Sequence, residues 1–264
     1  MTMSAATSWE EVLRAPKPRD HLVQLYQREA FLTRAVVRFL TAGVEHGEGS
    51  VVIATPDHVR GFQAGLRRAG LDVDGLVQRH QVVILDAEDC LARFMVDGLP
   101  DRAAFVALVS AEIDRVRGAG FARVRLFGEM VELLHARSLE APLQLEALWN
   151  ELLTDRGVSL LCAYRIDNFS HAAHHGPLRE ISRAHSHLIP VEDYERLGEA
   201  VNRAYAEVFG AVGESEALLG MVHAAHAGAP HMPAAEGALL ALRALAPTLA
   251  DQVLERARHH YGDV

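Results

Sequence analysis

Val51-Val52-Ile53-Ala54-Thr55, followed by helical spacing from Asp57 to Ala69, is the stretch that decides the fold. The run does not alternate apolar with polar, so a strand made from it must be covered on both faces, as happens in a parallel sheet flanked by helices. The same order continues outward in both directions. His21 to Tyr26 reads as a strand and Glu29 to Gly43 as an amphipathic helix on one side. On the other come strand Val82 to Leu85, helix Pro100 to Arg117, strand Arg123 to Phe127, helix Pro142 to Thr154 and strand Val158 to Ala163. Strands separated by helices of this length predict an α/β fold, a mostly parallel sheet with right-handed crossovers and helices on both faces.

Strand signals vanish from Ile181 onward. The rest of the chain reads as helices at about 191–209, 214–227, 234–246 and 248–261, with Pro233 and Pro247 in first turns and Gly210, Gly228 and Gly262 at the ends. This divides the chain into a leader over residues 1–19, an α/β domain over 20–190 and an all-helical C-terminal module over 191–264. The junction is expected within Asn168 to Pro190, a stretch holding five histidines together with Gly176 and Pro177.

Of 264 residues, half are hydrophobic and 23% are charged, which excludes disordered, collagen-like and disulfide-scaffold classes. Twenty-six basic against 35 acidic residues give a formal charge of −9, the wrong sign for a surface that neutralises phosphates, so direct nucleic-acid binding is not expected. Two cysteines, Cys90 and Cys162, suit a reducing cytoplasm, and the first 20 residues lack the basic start and apolar run of an export signal. The apolar runs fall short of a membrane span. A cytoplasmic protein without membrane attachment is the expectation.

Ligands of such sheets sit beyond the carboxyl ends of the strands. A phosphate-cradling loop of glycines and a lysine is missing there, since Tyr26-Gln27-Arg28-Glu29-Ala30 follows the first strand. Gly128-Glu129-Met130 directly follows the strand ending at Phe127, which places the Glu129 carboxylate either at the ligand edge or in the first turn of the next helix. Tyr26 ends the first strand and Tyr164 follows strand Val158–Ala163 at the same edge, as ligand contacts or as packed residues. Fifteen histidines include His171-x-x-His174-His175, His185-x-His187 and His223 with His226, yet no HExxH or CxxC spacing occurs, so no built metal site is expected. No Gly-x-Ser-x-Gly elbow is present, and Cys162 inside an apolar strand reads as a small buried residue, so no catalytic residue is assigned.

Seven ordered blocks carry a family resemblance. They are His21-Leu-Val-Gln-Leu-Tyr26, Gly47-Glu48, Leu85-Asp86-Ala87 with Phe94-Met-Val-Asp-Gly98, and Phe127-Gly-Glu-Met-Val131, followed by Leu145-Glu146-x-Leu148-Trp149-Asn150, Leu160-Leu-Cys-Ala-Tyr164 and His185-Ser-His-Leu-Ile-Pro190. Over His21 to about Tyr194 the chain resembles the DcmR-like sensory domain, or MEDS domain, of bacterial and archaeal signalling proteins. The resemblance implies a relative of KaiC- and RecA-type ATPases that has lost the phosphate loop, senses a small organic ligand and signals to a kinase or DNA-binding partner. His135 departs from the aromatic residue of relatives, and residues 195–264 show no kinase or helix-turn-helix signature.

Together these readings predict a non-catalytic sensory or regulatory protein without a cofactor. Its ligand would be bound by His21, Tyr26, Glu129, Tyr164, His185 and His187, its partner would be a kinase or transcriptional regulator, and homodimer formation is allowed. At least one of His185 and His187 is expected to hydrogen-bond across the junction, with Glu129 as a candidate partner. The alternatives are a nucleotide-binding protein or ATPase with an unconventional phosphate site, in which Arg28, Arg34 and Glu129 replace part of the loop, and a scaffold without a pocket.

Overall fold

A computed structural model describes residues 9–135, 140–167, 169–170, 177–189, 194–210 and 234–262. The chain divides into two compact units, one comprising residues up to Gln24 together with Arg28–Tyr164, the other Leu25–Gln27 together with Arg165–Val264. The sheet is built from β1 (His21–Tyr26), β2 (Gly49–Ala54), β3 (Val82–Asp86), β6 (Val124–Gly128), β7 (Ser159–Arg165) and β8 (His187–Ile189) in the order β3-β2-β6-β7-β1-β8. Pairs β2–β3, β2–β6 and β6–β7 are parallel. The bonds Leu160 N–H to Asp20 O and Ile166 N–H to Tyr26 O ascend both chains together and make β1–β7 parallel as well. The α/β reading therefore holds, and every residue of β1, β2 and β6 is buried, as the unalternating apolar run of β2 requires for that strand.

In the first unit, α2 (Glu29–Glu45) and α3 (Pro56–Arg68) follow connections that step across the sheet in one direction. Helices α6 (Arg102–Gly118) and α8 (Glu140–Arg156) follow connections that step the other way. Right-handed crossovers then place the two pairs on opposite faces. The connections leaving β2 and β6 diverge, which opens a crevice beyond the carboxyl ends of these neighbouring strands.

Several short elements depart from the sequence reading. The leader carries α1 (Trp9–Arg14), and α4 (Val73–Gln78), α5 (Ala87–Phe94) and α7 (Met130–His135) are added between strands. Asp86 starts α5 by accepting bonds from the Glu88 and Asp89 N–H groups, the cap that Leu85-Asp86-Ala87 provides. β4 (Met95–Val96) and β5 (Leu99–Pro100) form a hairpin closed by Asp97-Gly98, both at positive φ.

In the second unit, α9 (Pro177–Ala184) precedes β8, so residues 187–189, in the stretch where the sequence shows no strand signal, form a strand. α10 (Tyr194–Gly210), α11 (Ala234–Leu245) and α12 (Pro247–Gly262) share an apolar core of Leu197, Val201, Val208, Leu239, Leu242 and Val253 among others. The 3–4-residue spacing of these positions puts them on single helix faces. The Tyr205 hydroxyl donates to Ala238 O at 2.9 Å, tying α10 to α11. The helix expected at 214–227, His135's side chain and the histidines at 171, 174, 175, 223 and 226 lie outside the described residues. Among the described residues no helix is long and apolar enough to cross a membrane.

Candidate functional site

The crevice between β2 and β6 is filled from within the first unit. Glu129, 3% exposed, follows β6, and its backbone N–H donates to Ile53 O at 3.2 Å across the gap. One carboxylate oxygen accepts the Thr55 N–H, at the N-cap of α3, where no side chain of Thr55 itself makes a cap. The other lies 2.5 Å from His58 Nδ1, in the first turn of α3. His58 Nε2 in turn lies 2.6 Å from Glu29 Oε2, at the start of α2. A neutral imidazole donates only once, so carboxylates at both ring nitrogens select the imidazolium. The hydrogen bond to Glu129 accordingly holds the His58 pKa up at about 9, against the opposing effect of burial. Glu129 thus stands at the carboxyl edge of β6, but the helix start it serves is that of α3 and not that of α7, the helix that follows it in sequence. The imidazole beside it belongs to His58, which the sequence reading passed over.

Because the folded-state pKa lies above the ordinary 6.5, the interaction stabilises fully below pH 6.5 and is lost as pH rises through about 9. A rise from 6.5 to 9, discounted for solvent at a partly exposed ring, corresponds to about 1–3 kcal/mol. Urea unfolding at pH 6 and pH 9.5 should show that loss in the wild type and should show little of it in His58→Gln. Equal losses in both proteins would assign the effect to other groups.

A second polar group is enclosed between β1, β7 and α8. His21 opens β1 at 2% exposure, with Nδ1 3.0 Å from Asn150 Oδ1 and Nε2 3.3 Å from Cys162 Sγ and 3.4 Å from Glu146 Oε2. The Tyr164 hydroxyl donates to Glu146 Oε1. Glu146 and Asn150, one turn apart on α8, present side chains to the same face, and Cys162 and Tyr164 do so along β7. Burial raises the pKa of Glu146 and pushes the Cys162 thiol and Tyr164 phenol well up.

The third feature is a cavity of about 360 Å³ in the second unit, lined by Gln27, Arg165, Ile166, Asp167, Phe169 and Tyr261. It lies at the carboxyl ends of β1 and β7, at the edge the sequence singles out, and its volume is within the range of small-molecule sites. Asp167 is held by Gln27 Nε2 at 3.3 Å and by Arg258 at 2.5 Å, and the Phe169 and Tyr261 rings lie 5.1 Å apart.

Of the expected ligand residues, His21 and Tyr164 meet in the enclosed group, whereas Glu129 belongs to the crevice. Tyr26 and Tyr164 are each 2% exposed, and it is the next residues, Gln27 and Arg165, that line the cavity. Successive strand residues point to opposite faces, so a reading that takes the last aromatic of each strand falls one residue short. His185 Nδ1 donates to Ile181 O at 2.6 Å as a cap on α9, and His187 Nδ1 lies 2.9 Å from Ser186 Oγ. Burial lowers the His185 pKa to about 4, which keeps it neutral.

A family model for the MEDS domain, described as the methanogen/methylotroph, DcmR sensory domain, matches residues 20–186. No curated protein matches the chain.

Proposed function

Because the chain belongs to the MEDS sensory-domain family, we propose that it is a non-catalytic sensory protein whose small organic ligand binds in the cavity at the carboxyl ends of β1 and β7. Occupancy is relayed through α10–α12 to a protein partner such as a kinase or transcriptional regulator in the cytoplasm. The observation that carries this reading is the make-up of the cavity wall: strand-end residues Gln27 and Arg165–Asp167 on one side, Tyr261 of the last helix on another. All six lining residues lie within the second unit, so a molecule seated there touches the residues that end β1 and β7 and the last helix, and its binding energy acts within that unit. Two aromatic rings beside an arginine, an aspartate and a glutamine suit a small molecule with an apolar body and a polar end.

Descent from KaiC- and RecA-type ATPases is part of the same reading. It is supported by the parallel order of the sheet and by the carboxylate of Glu129 at the β2–β6 crevice. An anionic side chain seated on the Thr55 N–H repels a phosphate from that helix start. A thermal-shift screen of small organic molecules, followed by calorimetry on each hit, tests the proposal. Affinity should fall at least tenfold in Tyr261→Ala, hydrogen exchange in α10–α12 should slow with ligand, and Mg-ATP should not be turned over. Hits that bind Tyr261→Ala as well as wild type would remove the cavity from the reading, and ATP hydrolysis lost in Glu129→Gln would make the protein an enzyme.

A further inference from the structure

We infer that His21 Nε2, Cys162 Sγ and Glu146 Oε2 form a binding site for a zinc-type divalent transition metal inside the first unit. The inference is independent of the cavity and its ligand. Three kinds of donor converge from three elements, β1, β7 and α8, with their ligand atoms within 4.8 Å of one another. Zinc holds imidazole nitrogen at about 2.0–2.1 Å, thiolate sulfur at about 2.3 Å and carboxylate oxygen at about 2.0–2.2 Å. At tetrahedral angles those bonds put nitrogen about 3.5 Å from sulfur and about 3.4 Å from oxygen. The structure has 3.3 Å from Nε2 to Sγ and 3.4 Å from Nε2 to Oε2. Two of the three donor–donor separations therefore match edges of a coordination tetrahedron, and the third, Sγ to Oε2, is within 4.8 Å.

The outer contacts are those that a ligand set needs. Asn150 Oδ1 accepts from His21 Nδ1–H at 3.0 Å, which fixes the ring and leaves Nε2 as the lone-pair atom. The Tyr164 hydroxyl takes the other oxygen of Glu146, so that Oε2 is the one turned to His21 and Cys162. Charge agrees too. A divalent ion with one thiolate, one carboxylate and a neutral imidazole sums to zero, which suits residues that are all under 5% exposed. Mixed sulfur, nitrogen and oxygen donors favour zinc or a neighbouring transition metal over magnesium or calcium. On binding, the Cys162 S–H proton is released to solvent and the Sγ–metal bond forms, without any change of oxidation state.

Cobalt(II) is the probe, because a cobalt–thiolate bond gives a near-ultraviolet charge-transfer band that histidine and carboxylate sites do not. Full-length protein, stripped with chelator under reducing conditions, is titrated with cobalt chloride and then with zinc chloride. The expected result is one equivalent of cobalt with the thiolate band and tetrahedral visible bands, displaced by zinc, and a higher melting temperature with either metal. With only two cysteines in the chain, the band must persist in Cys90→Ala and disappear in Cys162→Ser. Asn150→Ala, which keeps all three donors, should weaken cobalt binding about 10–100-fold. No thiolate band in wild type or in Cys90→Ala would overturn the inference even if Cys162→Ser did not fold. A band retained in a folded Cys162→Ser protein would do so as well.

Discussion

Replacing Arg125 by alanine is expected to remove about 3–5 kcal/mol of stability, the cost of leaving a buried ion-pair partner behind. Arg125 is the second residue of β6 and is fully buried. Its Nε lies 2.7 Å from Glu48 Oε2 and a second nitrogen donates to the same oxygen, while Nη1 donates to Phe39 O at 2.6 Å. The guanidinium also lies 4.9 Å from the centre of the Phe39 ring. Burial lowers its pKa and Glu48 opposes that shift. Without Arg125, Glu48, itself 5% exposed, is left with Arg123 at 3.2 Å, an exposed and therefore screened partner. Gly43 shows how closely the site is fitted, because a Cβ there would lie 2.7 Å from the Arg125 Nε. Urea unfolding should register the loss as a lower midpoint with an unchanged slope. Arg125→Met restores volume but no charge. It should recover only part of the loss, and a loss below 1 kcal/mol in either variant would mean that Glu48 finds another way to be satisfied.

Glu129→Ala is the second large change, with an expected loss of about 2–4 kcal/mol from a buried N–H without its acceptor and an imidazolium without its inner carboxylate. The informative companion is Glu129→Gln, which keeps the shape and can still accept from the Thr55 N–H. In that variant the largest cause of the raised His58 pKa is gone, and the value should fall from about 9 toward the ordinary 6.5. A histidine-resolved NMR titration reads this directly. An unchanged His58 titration would show that Glu29 alone holds the proton, and the crevice would then be a surface ion pair rather than a connected set.

The sheet was legible because burial on both faces leaves a mark that needs no partner: Val51–Ala54 and Leu160–Ala163 are apolar without alternation. The elements that escaped are short. Six residues of α4 or two of β4 hold too few periods to rise above chance, although Asp97-Gly98 is a hairpin signal that a closer reading would have used. The polar groups were harder for a different reason. His58 meets Glu129 across 71 positions and His21 meets Asn150 across 129, and no local pattern encodes such meetings. Glu146 did leave a trace, a carboxylate at a position flanked by Leu145, Leu148 and Trp149, all buried in α8. A charged residue inside an apolar block has to be paired, and that could have directed attention to His21.

The position of β1 has a consequence for how the chain comes to be folded. All six of its residues are buried, and it lies between β7 and β8 in the strand order. Its end is tied to residues far downstream, as the Gln27–Asp167 bond across 140 positions illustrates. At roughly 5–20 residues per second of synthesis, the segment His21–Tyr26 waits on the order of 10–30 s before either neighbour exists. During that time an apolar strand has two open edges and nothing to close them. The part of the sheet made first is therefore completed last, and the cavity, whose wall includes both Gln27 and Tyr261, takes shape only after Tyr261 has been made.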